Sequence, residues 1–247
     1  YDINMSDSFF QDLGLPTPDI HLNVRSGTHA EQTGKVLIAY EKVLLKNRPD
    51  LVVVVGDVNS TVATTLAAVK LGIKVAHLEA GLRSFDRTMP EEINRVVTDA
   101  LADILWTPSP DAEENLLREG IAQGKIKLVG NIMIDSLEML RDRIEKENTY
   151  AQHGLTPTEY GLVTMHRPAN VDEPDVLREI CRILVLVAER ITMVFPVHPR
   201  TRKNLETFGL LKGLQSHQGL VLTEPISYIP FMNLIFNCRF VLTDSGG

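Results

Sequence analysis

Asp57, Glu79 and Glu91 each stand where an apolar run ends or a helix begins, in the stretches LVVVVGD, KVAHLEAG and PEEINR. A carboxyl group at a buried strand end pays to be charged, so its pKa rises toward the range where it can pass protons near neutral pH. His166-Arg167 and His198-Pro199-Arg200 put an imidazole and a guanidinium just after two later apolar runs. Histidine donates to phosphate or transfers protons, and arginine clamps an anion bidentately. Ser245-Gly246-Gly247 would cradle a phosphate on backbone N–H groups if a helix follows. Structural readings stand beside these. Asp57 suits a helix N-cap. Glu91 and Glu92 compensate the dipole of a helix opened by Pro90, and Glu91 and Arg95 have the spacing of an i,i+4 pair. No HxxxH or CxxC spacing points to a metal. No GxSxG occurs, and neither Cys181 nor Cys238 has an obvious base, so no nucleophilic triad is expected.

Positioning these groups requires strands that stop beside one another. Short apolar runs recur at Leu51–Val55, Lys74–Leu78, Ile104–Thr107, Ile126–Val129, Gly161–Met165, Thr192–Val197, Gly219–Thr223 and Phe240–Thr243. Most are apolar nearly throughout, as in parallel sheets covered on both faces. Helical periodicity fills Thr28–Asn47, Thr61–Lys70, Pro90–Leu101, Asp111–Glu119, Ile132–Lys146, Asp172–Glu189 and Tyr228–Phe236. Alternation of this kind means right-handed βαβ units and an α/β fold of doubly wound parallel sheets. A polar stretch at Asn148–Tyr160 separates two series, giving domains over 1–150 and 151–247. Ligands of such sheets bind outside the carboxyl ends of the strands, so two such edges are expected to face a common cleft. If the strands ending at Asp57 and Glu79 are neighbours, a spacing of about 4.8 Å puts two carboxylates in one pocket. Ser6–Leu13 reads as a short helix and Asp19–Val24 as a possible strand. The usual opening strand and phosphate-binding turn are not seen, and no helix follows Gly247, so the chain reads as cut at both ends.

The net charge of -7 over 247 residues argues against a nucleic-acid surface. No apolar run approaches the roughly 18 residues of a membrane span, and no signal peptide opens the chain. Two cysteines in apolar segments read as buried reduced thiols, and a cytoplasmic location is expected.

Taken together, GDVNST, HLEAGLRS, MPEEINR, MHRPANVD, PVHPR, EPISYIPF and LTDSGG resemble the non-hydrolysing UDP-N-acetylglucosamine 2-epimerases, in that family's order and over nearly the whole chain. The resemblance implies two Rossmann-like domains arranged as in glycosyltransferase-B enzymes, with the active site in the cleft. It implies inversion at C2 of the sugar, giving UDP-N-acetylmannosamine by anti elimination of UDP and re-addition through a 2-acetamidoglucal. Proton-transfer candidacy falls on Asp57, Glu79 and Glu91. Arg95 and His166 become catalytic or diphosphate-side residues. Arg167 and His198 join the substrate-binding set, Ser245, Gly246 and Gly247 hold the diphosphate, and Phe231 packs near the uracil. Ile226 stands where the family often has a polar residue, so one uracil contact is missing or made by backbone. No cofactor and no metal are implied, and a homodimer is. The family's first strand and its GTRPE-like loop would precede Tyr1, and a helix with acidic residues would follow Gly247. Relatives leave other readings open: an epimerase of UDP-2,3-diacetamido uronic acid, a hydrolysing enzyme releasing free N-acetylmannosamine, and a glycosyltransferase or UDP-sugar sensor.

Overall fold

The structure is a computed structural model that describes residues 13–245. The chain divides into two compact units, one of residues 17–138 and one built mainly of residues 139–245. Of the short helix expected over Ser6–Leu13, all but Leu13 lies outside the described residues, as do Gly246 and Gly247.

The first unit carries helix α1 (His29–Lys46), strand β1 (Leu51–Val55), α2 (Asn59–Lys70), β2 (Lys74–Leu78), α3 (Pro90–Leu101), β3 (Ile104–Thr107), α4 (Pro110–Arg118) and β4 (Ile126–Leu128). Helix α5 (Ile132–Lys146) follows. The four strands form one parallel sheet in the order β1-β2-β3-β4. Local chemistry sets the helix starts. Thr28 and Glu31 close a reciprocal capping box on α1, and Pro90 and Pro110 open α3 and α4 where no backbone donor is needed. Leu44, Val52, Val54, Val75, Leu105 and Leu116 form the core.

Asp19–Val24 is irregular rather than a strand, since among the described residues no neighbouring strand takes up its backbone bonds. β1 also departs from expectation. Its burial alternates, with Val52 and Val54 inside and Leu51, Val53 and Val55 exposed. Among the described residues it is an edge strand with one covered face.

The second unit holds β5 (Tyr160–Thr164), α6 (Pro174–Ala188), β6 (Thr192–Pro196), α7 (Pro199–Thr207), β7 (Leu220–Thr223), α8 (Tyr228–Asn237) and β8 (Phe240–Thr243), with single helical turns at Thr149–Gln152, Pro168–Val171 and Leu211–Gln215. Its parallel sheet runs β7-β6-β5-β8. One face packs Val163, Leu177, Leu184, Met193, Phe195 and Leu205, and the other packs Tyr160, Leu162, Val194 and Leu234. Asn233 on α8 accepts from the Thr149 N–H and donates to the Ile144 and Glu147 carbonyls, tying residues 144–149 to this sheet. Helix α7 was not legible by periodicity. Only Thr201 and Leu205 of PRTRKNLET are buried, so no apolar stripe marks it. Among the described residues, no helix is long and apolar enough to cross a membrane.

Close approach fixes Gly219. A Cβ at Gly219, just before β7, would run into the Ala188 carbonyl at the end of α6. Backbone on both sides leaves no side chain to yield. Gly219→Ala should cost about 1–3 kcal/mol of overpacking strain. Thermal unfolding should register a Tm lower by about 2–4 °C per kcal/mol.

Candidate functional site

In the first unit, β1 and β2 are paired in register, Val55 opposite Leu78, so the residues after them emerge side by side. Gly56 has φ +67 and Glu79 has φ +78. Both lie in the left-handed region. Gly56 fits there at no cost, and a Cβ at that position would approach Glu79 Oε2 to 3.4 Å. Glu79 is strained there by about 1–3 kcal/mol, as is common where function dictates the side chain. Hydrogen bonds hold the turn. Gly56 N–H donates to Leu78 O at 3.1 Å, and the Glu79 and Ala80 N–H groups donate to Trp106 O at 3.1 and 3.0 Å.

Burial, then the negative charge of Asp57, pushes the Glu79 carboxyl above its usual range, and Arg95 and His77 pull it partly back. Asp57 is ion-paired with Arg95 from α3. Arg95 also reaches Glu92 Oε2 at 3.3 Å. The local i,i+4 pairing of Glu91 with Arg95 does not form, because Asp57 at the adjacent strand end and buried Glu92 take the guanidinium. Glu91 is half-buried in the first turn of α3, with no hydrogen bond or ion pair among the described residues. Asp57 is not an N-cap either. Val58 occupies that position, and no side chain caps α2.

Behind these groups α3 buries a polar face. Glu92, Asn94, Thr98 and Asp99 are buried while Ile93 is exposed, the reverse of a core helix. Glu92 accepts from Ser84 N–H at 2.8 Å, Ser84 hydroxyl at 3.0 Å and Phe85 N–H at 3.1 Å, fixing the loop before the helix. Asn94 donates to the Asp57 carbonyl at 2.9 Å. Asp99 receives Gly81 N–H at 3.0 Å and Arg83 at 2.7 Å, and Arg83 forks onto Glu119 with two bonds of 2.7 Å. Single-residue reading missed Arg83, Glu92, Asn94 and Asp99. For the helix residues the available signal was Glu92, Asn94, Thr98 and Asp99 on the face that should have been apolar.

Removing the Glu79 charge should stabilise the fold. A carboxyl whose folded pKa is raised is favoured below its unfolded pKa, here an ordinary 4.5, and penalised as pH rises through the folded value. Glu79→Gln should therefore raise Tm at pH 7, by about 1–3 °C. The gain should disappear below pH 4.5, where Glu79 is neutral in both states. Thermal scans at pH 4 and pH 7 test this.

In the second unit, His166, His198 and Phe231 meet at the carboxyl edge of β5, β6 and β7, and Arg167 follows His166 without lining the same cleft. A cleft of about 190 Å³ is lined by Thr164, Met165, His166, His198, Ile226 and Phe231, among others. The His166 and His198 rings are 5.8 Å apart. His198 caps α7, its Nδ1 accepting Arg200 N–H at 3.2 Å, so Nε2 carries the proton and is the donor. Burial, then His166 and Arg200, hold this imidazole below its ordinary pKa. Arg200 forms an ion pair with Asp172.

Asp244, after β8, organises the loop that follows β5. Its Oδ2 accepts His166 N–H at 3.0 Å, Arg167 N–H at 2.8 Å and Asn170 Nδ2 at 3.2 Å, and Oδ1 lies 3.2 Å from His166 Nδ1. Burial raises its carboxyl, but the Arg167 and His166 N–H groups, Asn170 and His166 outweigh that and hold it below the usual range. Ser245 is exposed, with its N–H on Thr243 Oγ1 at 2.9 Å. Gly246 and Gly247 lie outside the described residues. Among the described residues, no group of three or more His, Cys, Asp or Glu is placed to hold a metal.

Two Rossmann-like parallel sheets carry carboxylates at the carboxyl edge of one and imidazoles at the carboxyl edge of the other, an α/β architecture with ionisable groups at its strand ends. A family model described as UDP-N-acetylglucosamine 2-epimerase matches residues 1–247. The chain belongs to the UDP-N-acetylglucosamine 2-epimerase family and is an isomerase. It is similar to the UDP-N-acetylglucosamine 2-epimerase of Methanocaldococcus jannaschii, 47% identical over 100% of this chain and 69% of that one. The solved structure of the M. jannaschii enzyme in complex with UDP-GlcNAc and UDP superposes with a TM-score of 0.85 at the same identity and coverage. The chain is also 42% identical, over 100% of its length and 68% of the relative's, to a UDP-2,3-diacetamido-2,3-dideoxy-D-glucuronate 2-epimerase of Pseudomonas aeruginosa.

Proposed function

We propose that the protein interconverts UDP-N-acetylglucosamine and UDP-N-acetylmannosamine by eliminating UDP and adding it back. The observation that carries this reading is Glu79, a carboxyl kept in a strained left-handed turn, raised in pKa, beside Asp57. Nothing in the fold requires a carboxylate there, and a glycine would relieve the strain. The C2 hydrogen of the sugar is weakly acidic, so its removal needs a positioned base.

In the forward direction a carboxylate takes the C2 proton. The C2–H electron pair becomes the C1=C2 bond of a 2-acetamidoglucal, and the C1–O bond breaks to release UDP. Re-addition reverses this, with UDP oxygen attacking C1 and a proton delivered to the other face of C2. Glu79 serves as one proton carrier, with Asp57 and Glu91 as the candidates for the other face. Arg95 pairs with Asp57 and positions it. The departing diphosphate gains charge, and donors that meet it stabilise the transition state. His166, Arg167, His198 and the Ser245 turn supply such donors, and Phe231 with Ile226 offers an apolar wall for a base. No cofactor enters this scheme.

The P. aeruginosa relative motivates a second reading, the same elimination on a UDP-2,3-diacetamido uronic acid. Incubation with each UDP-sugar separately, followed by chromatography of the products, decides between them. UDP-N-acetylmannosamine from UDP-N-acetylglucosamine is the expected product. Free N-acetylmannosamine would mark a hydrolysing enzyme instead, and turnover of the uronic acid alone would transfer the assignment to the second substrate.

A further inference from the structure

His77 has no role in the scheme above, yet it is fully buried and faces the reacting edge from behind. It sits on β2, two residues before Glu79. Its Nδ1 is 2.6 Å from Asp99 Oδ1, and its Nε2 is 2.9 Å from the carbonyl oxygen of Gly56, the residue before Asp57. A backbone carbonyl only accepts, so Nε2 must carry a hydrogen. Asp99 already receives Arg83 and Gly81 N–H on its other oxygen, which favours the carboxylate, so Nδ1 must donate as well. A neutral ring with hydrogen on Nδ1 alone would set a lone pair against the Gly56 carbonyl, at the cost of an unsatisfied buried acceptor.

Charge balance agrees. Asp99 and Glu119 face Arg83, and one further cation is needed to pair every charge in the cluster. The charged groups around His77 are Asp99 and Arg95 from α3, Asp57 after β1, Glu79 after β2, and Arg83 with Glu119 beyond Asp99.

We infer that His77 is a positioning residue held as an imidazolium, tying the Gly56 carbonyl to Asp99 and setting a fixed positive charge behind Asp57 and Glu79. Its two bonds connect the ends of β1 and β2 to α3. They fix the left-handed turn at Gly56 and hence the direction of Asp57. Its charge favours the ionised form of Glu79, offsetting part of the cost of burial and of Asp57. The inference rests on the proposed proton-transfer role of these two carboxylates for its catalytic consequence, but not for the charge state of His77.

Two measurements test it. Long-range proton–nitrogen spectra of the ¹⁵N-labelled protein, without substrate, should show one histidine with both ring nitrogens at protonated shifts at neutral pH. That signal should be absent from His77→Gln. A His77 ring with one unprotonated nitrogen at neutral pH would overturn the inference. In turnover, His77→Gln should lower kcat about a hundredfold with KM within a few-fold, since geometry and not ground-state binding is lost. The acidic limb of its kcat/KM profile should move to higher pH, because Glu79 then ionises less readily. An unmoved limb in a folded variant would show that His77 supplies no charge to the site. If His77→Gln fails to fold, the wild-type spectra still decide. If Glu79→Gln keeps its turnover, the proton-transfer role falls while the spectra judge His77 independently.

Discussion

Glu79→Gln should lower kcat for epimerisation by about 10²–10⁴-fold, the usual contribution of a positioned acid–base group. UDP should still bind, because the groups assigned to the diphosphate belong to the other sheet. Gln keeps the size and one acceptor of Glu but cannot take a proton. The fold should not suffer, since the substitution removes a charge that burial and Asp57 penalise. Lost turnover together with a raised Tm would mark Glu79 as a residue retained at a cost in stability. Isothermal titration with UDP and a coupled assay on the same preparation measure both halves. Near-normal turnover would make Glu79 a structural residue of the turn.

Asp99→Ala should be the most destabilising single change at this edge. Asp99 is 1% exposed and holds His77, Arg83 and the Gly81 N–H at once. Truncation leaves two buried donors of charge and one backbone N–H without their acceptor. Breaking a buried ion pair from one side costs about 3–5 kcal/mol, which corresponds to a fall in Tm of about 6–20 °C. Arg83 retains Glu119, so the penalty should fall chiefly on His77 and Gly81. Denaturant unfolding of Asp99→Ala beside Glu119→Ala separates the two, and Glu119→Ala should cost much less because that carboxylate is 37% exposed. Equal losses would place the weight of the cluster on Arg83.

These two residues also show what the sequence could and could not disclose. Glu79 was visible because a charge ends an otherwise apolar run, and its neighbour Asp57 because a second run ends the same way. Their adjacency followed once the strands were paired in order, and β1 and β2 are neighbours. The left-handed turn at Glu79 was not legible. Non-glycine residues rarely take that conformation, and its support comes from the Trp106 carbonyl on the neighbouring strand. Asp99 was hidden for a different reason. A polar residue late in a helix reads as solvated, and only the exposure of Ile93 on the opposite face shows that the buried side is polar. Arg95 was found, but with the wrong partner. The i,i+4 rule sees Glu91, whereas Asp57 comes from a strand end 38 residues earlier in the chain. In the second unit His166 and His198 were legible as a pair after successive strands. Asp244, which holds the loop carrying His166, depends on β8 lying next to β5, a crossover that local pattern does not specify.

In the proposed reaction a protein carboxylate removes the C2 proton of the sugar. Incubating the protein with UDP-N-acetylglucosamine in deuterated water and examining the products by NMR tests it most directly. Deuterium at C2 of the UDP-N-acetylmannosamine formed is the predicted result. UDP-N-acetylmannosamine formed with its original hydrogen at C2 would contradict it.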